Sequence, residues 1–99
     1  MLYAIIAKDA PNSLQKRLNA RPAHLERIKQ LKAEGRLLLA GPHPATDSDS
    51  PGEAGFTGSL IVAEFTSLDA AKAWANEDPF TKLEIYDEIT VKPFLKVLP

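Results

Sequence analysis

Short apolar runs alternate along the chain with longer stretches in which apolar residues recur every three or four positions. The first run, Met1 to Lys8, is apolar at nearly every position and ends at turn-forming residues. Such a run favours a strand that is covered on both faces. From Ala23 to Glu34 the apolar residues Leu25, Ile28 and Leu31 recur at spacings of three, which predicts an amphipathic helix.

The segment before this helix contains a proline, which divides the predicted helical region in two. A short helical turn is predicted through Leu14 and Leu18. Its cap is either Asn12 or Ser13, both good capping residue types. The main helix then restarts with Pro22 in its first turn, where a missing backbone N–H is tolerated.

Three more strands and a second helix are predicted downstream. Gly35 ends the main helix, because glycine readily takes the left-handed conformation beyond a helix C-terminus. We expect the loop rich in Asp, Ser and Gly to be mobile and to close over a cleft. That loop runs from Ala45 to Gly58 and follows a strand in "RLLLAGPHP" that is ended by two prolines. After the loop come a strand in "SLIVAEF" and a helix in "TSLDAAKAWANEDPF" capped at Thr66 or Ser67. The last predicted strand is in "ITVKPFLKV", where Pro93 indicates an edge or a bulge.

The order of these elements predicts the fold. Strand, helix, two strands, helix and strand form the split βαβ pattern of an α+β, ferredoxin-like βαββαβ subunit with an antiparallel sheet and both helices on one face. The 99 residues indicate one domain, 1–99. A chain of this size buries a modest core, so we expect a homodimer in which a second copy covers the open face of the sheet.

The composition of the chain limits the classes of partner that we expect. Twelve Lys and Arg against thirteen Asp and Glu give a net charge of -1 without a long run of one sign, which disfavours nucleic acid. The absence of cysteine excludes disulfides, thiolate metal sites and a cysteine nucleophile. The first apolar run is too short for a signal peptide or a membrane span. We therefore expect a cytoplasmic protein without a membrane partner.

One histidine lies on the apolar side of the main helix. His24 precedes Ile28 by four residues and Leu31 by seven, so it shares their face. It is either a buried core histidine or a general acid or base, and the spacing leaves both interpretations open. Asp78, held before Pro79, either ends a helix or orients the imidazole as carboxylates do in catalytic sites.

The remaining motifs carry less chemistry. His43, between two prolines, is either exposed or part of a pocket wall, and its spacing from His24 is a weak basis for a metal site. Gly52, Gly55 and Gly58 precede a strand rather than a helix, unlike the glycines of a nucleotide-binding loop. We predict no metal and no cofactor.

Four segments together resemble the YCII-related (YciI-like) family of small bacterial proteins. They are "MLYAIIAKD", "KRLNARPAHLERIKQLKAEGRLLLAGP", "GFTGSLIVAEFTSLDAAKAWANEDPF" and "VKPF", with "RPAHL", "GRLLLAGP" and "DPF" as the most specific parts. The resemblance implies a homodimeric α+β barrel of ferredoxin-like subunits, related in fold to muconolactone isomerases.

The resemblance also implies a site for a small-molecule substrate or ligand. It places His24 of "RPAHL" and Asp78 of "DPF" together in a cleft as a catalytic pair. A dehydrochlorinase is among the family's few activities, so the implied function is a cofactor-independent isomerase or lyase that transfers a proton. The alternative is a module that binds or senses a small ligand without changing it. The implied pocket walls are Arg21, Gly41, Pro42, Ser59 and Phe80.

Overall fold

The computed structural model describes residues 1–99, and its strands and helices follow one another in βαββαβ order. This order and an antiparallel sheet confirm the predicted α+β, ferredoxin-like fold. The elements are β1 (Leu2–Asp9), α1 (Leu14–Ala33), β2 (Leu37–Pro44), β3 (Phe56–Glu64), α2 (Leu68–Asn76), α3 (Pro79–Lys82) and β4 (Tyr86–Phe94), with a 3-10 turn at Gly52–Ala54 between β2 and β3.

The four strands form one sheet in the order β2-β3-β1-β4. All neighbours are antiparallel, and Ile5 in β1 lies opposite Ile61 in β3 and Val91 in β4. The two edge strands carry the prolines of the sheet, Pro42 and Pro44 in β2 and Pro93 in β4. An edge strand has one side without a neighbour, so a residue that cannot donate a backbone hydrogen bond is tolerated there.

The hydrophobic core lies between the helices and one face of the sheet. Alternate residues of a strand point to the same face, so the odd-numbered apolar residues of β1 and β3 meet the helices together. Because α1 and α2 contribute to a single cluster, both helices cover the same face. The cluster consists of Tyr3, Ile5, Ile28, Leu31, Ile61, Ala63, Phe65, Ala71 and Ala75.

The first helical region is one continuous helix, so the predicted division at Pro22 was wrong. Pro22 lies inside α1, eight residues after its start at Leu14. A proline in a helix interior removes one backbone hydrogen bond, but its fixed φ is compatible with helical geometry. Buried residues on both sides of it, Arg17 before and His24 after, attach the helix to the rest of the molecule. Tertiary contacts therefore outweigh the local cost.

The C-terminus of α1 follows the sequence prediction. Gly35 has a φ of 72° and donates its N–H to the carbonyl of Lys32, and Arg36 donates to the carbonyl of Leu31. This pair of hydrogen bonds is the Schellman arrangement, in which a left-handed residue closes the helix.

None of the helices combines the length and the apolar character needed to cross a bilayer.

Two strand boundaries differ from the prediction. β3 begins at Phe56 rather than at Ser59, and β4 covers Tyr86–Phe94 rather than starting at Ile89. The two prolines at the end of β2 lie inside the strand, because their side of the edge has no partner. Gly58 belongs to β3, where a Cβ would collide with the carbonyl oxygen of Ala7. That glycine therefore serves close strand packing rather than loop flexibility.

Candidate active site

A cavity of about 500 Å³ lies between α1, the β2–β3 half of the sheet and α3. His24 and all five predicted wall residues, Arg21, Gly41, Pro42, Ser59 and Phe80, line it. The rest of the lining is mostly apolar. It consists of Arg17, Leu18, Leu25, Ile28, Leu37, Ala40, Phe56 and Ile61.

His24 and Asp78 are in direct contact behind the cavity wall. Nδ1 of His24 lies 2.9 Å from both carboxylate oxygens of Asp78, and the two residues are 5% and 2% exposed. Asp78 is also the N-cap of α3, where its Oδ1 accepts a hydrogen bond from the backbone N–H of Phe80 at 2.9 Å. The Asp-Pro turn thus ends one helical segment, begins the next and fixes the carboxylate.

This contact determines the role of each imidazole nitrogen. With Asp78 ionised, Nδ1–H donates to the carboxylate, which leaves the lone pair of the neutral ring on Nε2. Nε2 has no hydrogen-bond partner in the chain and is not fully buried. Because His24 lines the cavity, that nitrogen is available to a ligand. The arrangement suits a base that takes a proton and an acid that returns it.

Aromatic contacts hold the imidazole in place. The rings of His24 and Phe80 are stacked, with 3.9 Å between centroids and 6° between planes. Tyr86 meets both rings edge-on, at 6.4 Å from His24 and 5.4 Å from Phe80. Arg27 lies over Trp74 with one Nη 3.5 Å from Asp78, so it adds a positive charge beside the carboxylate.

Arg17 is a cavity residue that the sequence analysis missed. Its Nη1 donates to both oxygens of Asp9 at 2.7 and 2.8 Å, and its Nη2 donates to the hydroxyl oxygen of Ser59 at 2.7 Å. The signal was present, because Arg17 precedes His24 by seven residues and therefore lies on the same side of α1. Asp9, its buried partner, follows a bulge near the end of β1.

Burial changes the acidity of two groups near the cavity. It raises the pKa of Asp9 above its ordinary value, although the Arg17 guanidinium opposes this effect. It also raises the pKa of Tyr86 to about 12, with a smaller opposing influence from the nearby Ser59 side chain. The Tyr86 hydroxyl oxygen is buried, and no group meets it with hydrogen-bonding geometry. Tyr86 is therefore a neutral phenol at ordinary pH.

Two predicted elements lie away from the cavity. His43 is exposed in β2, opposite Gly58, and borders a shallow depression on the other face of the sheet. Of the loop that was expected to close over a cleft, only Phe56 lines the cavity, and the structure places that residue at the start of β3. Gly55 at its end instead packs close to Leu14, at the start of α1.

Comparison with known proteins identifies the family. The family model described as the YCII-related domain matches residues 1–95. Protein YciI of Escherichia coli O6:H1 is 59% identical over 97 residues, which cover 98% of this chain and 99% of that protein. A Haemophilus influenzae protein is 56% identical over 97 residues, with the same coverage of 98% and 99%.

A solved structure shares the fold. It is 5-chloro-2-hydroxyhydroquinone dehydrochlorinase (TftG) from Burkholderia phenoliruptrix AC1100, in complex with 2,5-dihydroxybenzoquinone. The similarity has a TM-score of 0.85 and 32% sequence identity, and it covers 96% of this chain and 94% of that chain. The family match and these similarities over almost the full length agree, and the chain belongs to the YCII-related domain family.

Proposed function

We propose that this protein is an enzyme that moves a proton within, or eliminates a small acid from, a cyclic unsaturated molecule. The observation that carries the proposal is the His24–Asp78 contact at 2.9 Å with Nε2 of the imidazole left for the cavity. His24 is the base, and Asp78 positions it and stabilises the imidazolium that forms. The dehydrochlorinase activity of the structural neighbour supports this class of reaction.

The elimination balances with these two residues. Nε2 of His24 takes a proton from an O–H or C–H bond of a chlorinated ring compound in its keto tautomer, in which the carbon that bears chlorine is saturated. The electron pair of the broken bond passes through the conjugated ring, a new double bond forms, and chloride leaves with the electrons of the C–Cl bond. The imidazolium then returns its proton to water. An isomerisation follows the same first step, but the proton returns to another atom of the substrate.

The cavity walls provide the surroundings that this chemistry needs. Gly41, Pro42 and Phe80 offer a mainly apolar surface, and Ser59 offers a hydroxyl whose oxygen already accepts from Arg17. Such walls exclude water from the reacting atoms and leave a few polar groups to orient the substrate. We assign substrate binding to these four residues and to Arg21.

Turnover separates an enzyme from a module that only binds a ligand. Purified protein is incubated with 5-chloro-2-hydroxyhydroquinone, and released chloride is measured. His24→Gln should abolish release, whereas His43→Gln, which changes the exposed histidine on the other face, should retain it. Binding of the ring compound without chloride release would favour the binding module. Chloride release that survives His24→Gln would remove His24 from the mechanism.

We also propose that two copies pair through the open face of the sheet, each copy being one YCII-related domain. Ile6, Leu39 and Phe94 lie on this face and are 39%, 46% and 40% exposed. Exposed apolar residues on one face of a small domain are typical of an interface. A second copy presents the same surface, which suits a two-fold symmetric pair.

A further inference from the structure

The titratable side chains that line the cavity are all basic. They are Arg17, Arg21 and His24, which lie along one side of α1. The two nearest carboxylates do not line the cavity, because Asp9 lies behind Arg17 and Asp78 lies behind His24. A ligand in this cavity therefore meets hydrogen-bond donors and positive charge without facing a carboxylate.

The two arginines differ in how they are held. The guanidinium of Arg17 is 7% exposed at the side chain, and the carboxylate of Asp9 compensates its charge at 2.7 Å. Its Nη groups are occupied by Asp9 and Ser59. Arg21 is exposed and forms no ion pair or hydrogen bond within the chain. Arg21 is thus the uncompensated positive charge of the cavity, whereas Arg17 is a fixed and neutralised part of its wall.

The remainder of the cavity favours a flat apolar body. Eight of its fourteen lining residues are hydrophobic, including Phe56 and Phe80. The stacked pair of His24 and Phe80 gives one wall a planar aromatic character. The cavity volume of about 500 Å³ admits a small substituted ring and lies within the ordinary range for small-molecule sites.

We propose that this cavity binds its substrate as a planar ring compound carrying an anionic oxygen, and that Arg21 pairs with that oxygen. The inference rests on the proposed function, because it concerns the same cavity. A single free guanidinium matches a single negative charge, either on a ring enolate or phenolate or on a carboxylate attached to the ring. Arg21 thereby selects the ionised form and brings the ring alongside Nε2 of His24.

Matched pairs of ligands test the charge preference. Dissociation constants are measured by titration calorimetry at neutral pH and low salt for 2,5-dihydroxybenzoquinone, an acidic ring enol that is ionised there, and for its neutral dimethyl ether. Benzoate and the isosteric neutral benzamide form the second pair and represent the carboxylate alternative. One anionic compound should bind about tenfold more tightly than its neutral partner, the usual effect of a hydrogen bond to a charged group.

Variants then assign the preference to Arg21. Arg21→Gln should remove most of it, because the charge is lost at an exposed position that does not support the core. Lys29→Gln removes an equal charge from an exposed position of the same helix outside the cavity, so it is the matched control and should retain the preference. A larger effect for the enolate pair identifies the ring oxygen, and a larger effect for benzoate identifies a carboxylate.

Equal affinity for anionic and neutral partners would overturn the inference, as would no measurable binding by either anion. Equal weakening by Arg21→Gln and Lys29→Gln would also overturn it, since this would indicate only the general field of the helix. The proposed function fails separately. If Arg21→Gln removes the preference but His24→Gln leaves turnover intact, the substrate class stands and the acid–base role of His24 falls.

Discussion

The imidazole of His24 lies parallel to the phenyl ring of Phe80, with 3.9 Å between the ring centroids. The guanidinium of Arg17 packs over the same phenyl ring at 4.9 Å from its centroid. Phe80 itself follows the Asp-Pro turn and is 1% exposed. One buried ring therefore positions two cavity groups that lie seven residues apart on α1, and it connects them to the segment that carries Asp78.

Replacing Phe80 by leucine should reduce both stability and activity. We expect the free energy of unfolding to fall by about 1–2 kcal/mol, because a smaller side chain leaves part of a packed site unfilled. Turnover should fall further than stability explains, because His24 loses the flat surface that fixes its ring plane. Chemical denaturation and initial rates of chloride release measure the two effects.

Phe65 provides the matched control for this change. It is 5% exposed and packs against Tyr3 and Trp74 in the main core, outside the cavity lining. Phe65→Leu should therefore cost similar stability and leave turnover nearly unchanged. Equal losses of activity in the two variants would show that general loosening of the fold, rather than the position of the His24 ring, controls the reaction.

Much of the fold could be predicted from local patterns. The order of strands and helices along the chain and the helix end at Gly35 follow from hydrophobic spacing and from backbone preferences that are visible in the sequence. Ser67, which caps α2, is one of the two caps that the sequence offered. The continuity of α1 through Pro22 could not be predicted this way. It depends on burial of Arg17 and His24 on either side, and local preference rules do not include these tertiary contacts.

The site was predictable only in part. Spacing placed His24 on the inner side of its helix, but its contact with Asp78, 54 positions later, required the family resemblance. Arg17 was missed because a charged residue in a helix is usually exposed. Arg17 is buried because it pairs with Asp9, which follows the bulge in β1. That bulge exists only in the folded sheet and is not visible in the sequence.

Two replacements of Asp78 should separate its structural role from its chemical role. Asn keeps the N-cap of α3, since its side-chain oxygen can accept from the N–H of Phe80. Its amide then offers N–H groups to Nδ1 of His24, which favours the tautomer with the proton on Nε2. We expect turnover to fall by roughly 10²–10⁴ with the fold retained, because the base lone pair is removed from the cavity.

Replacing Asp78 by Ala removes both the helix cap and the partner of the imidazole. Asp78→Ala should lose a similar factor in turnover and a further 0.5–2 kcal/mol or so of stability from the lost cap. Steady-state kinetics and urea denaturation on both variants measure the difference, and nitrogen NMR of the imidazole reports the tautomer. Turnover by Asp78→Asn at the level of the unmodified protein would contradict the proposed orientation of His24.

Pairing through the sheet predicts the effect of charges on each face. Light scattering on the unmodified chain should give twice the monomer mass of 10.8 kDa. Ile6→Lys places a charge in the middle of the open face and should yield monomers, because an unpaired charge is costly to bury in an interface. Leu83→Lys, at a 53% exposed position next to the C-terminus of α3, is the control and should remain dimeric. A monomeric unmodified chain at micromolar concentration would refute the pairing.

The buried phenol of Tyr86 makes stability depend on alkaline pH. Its pKa in the folded chain is about 12, compared with 10.0 ordinarily, so the unfolded chain releases this proton at lower pH than the folded chain does. The contribution is fully present below pH 10 and is lost as the pH rises to about 12. Two pKa units correspond to about 2–3 kcal/mol of unfolding free energy.

Tyr86→Phe keeps the ring contacts with Phe80 and His24 and removes an unpartnered hydroxyl, so its unfolding free energy should decline less over this range. Urea denaturation at several alkaline pH values measures this decline, with Tyr3→Phe as the control that keeps Tyr86. An equally steep decline in Tyr86→Phe and in the unmodified chain would mean that other groups cause it.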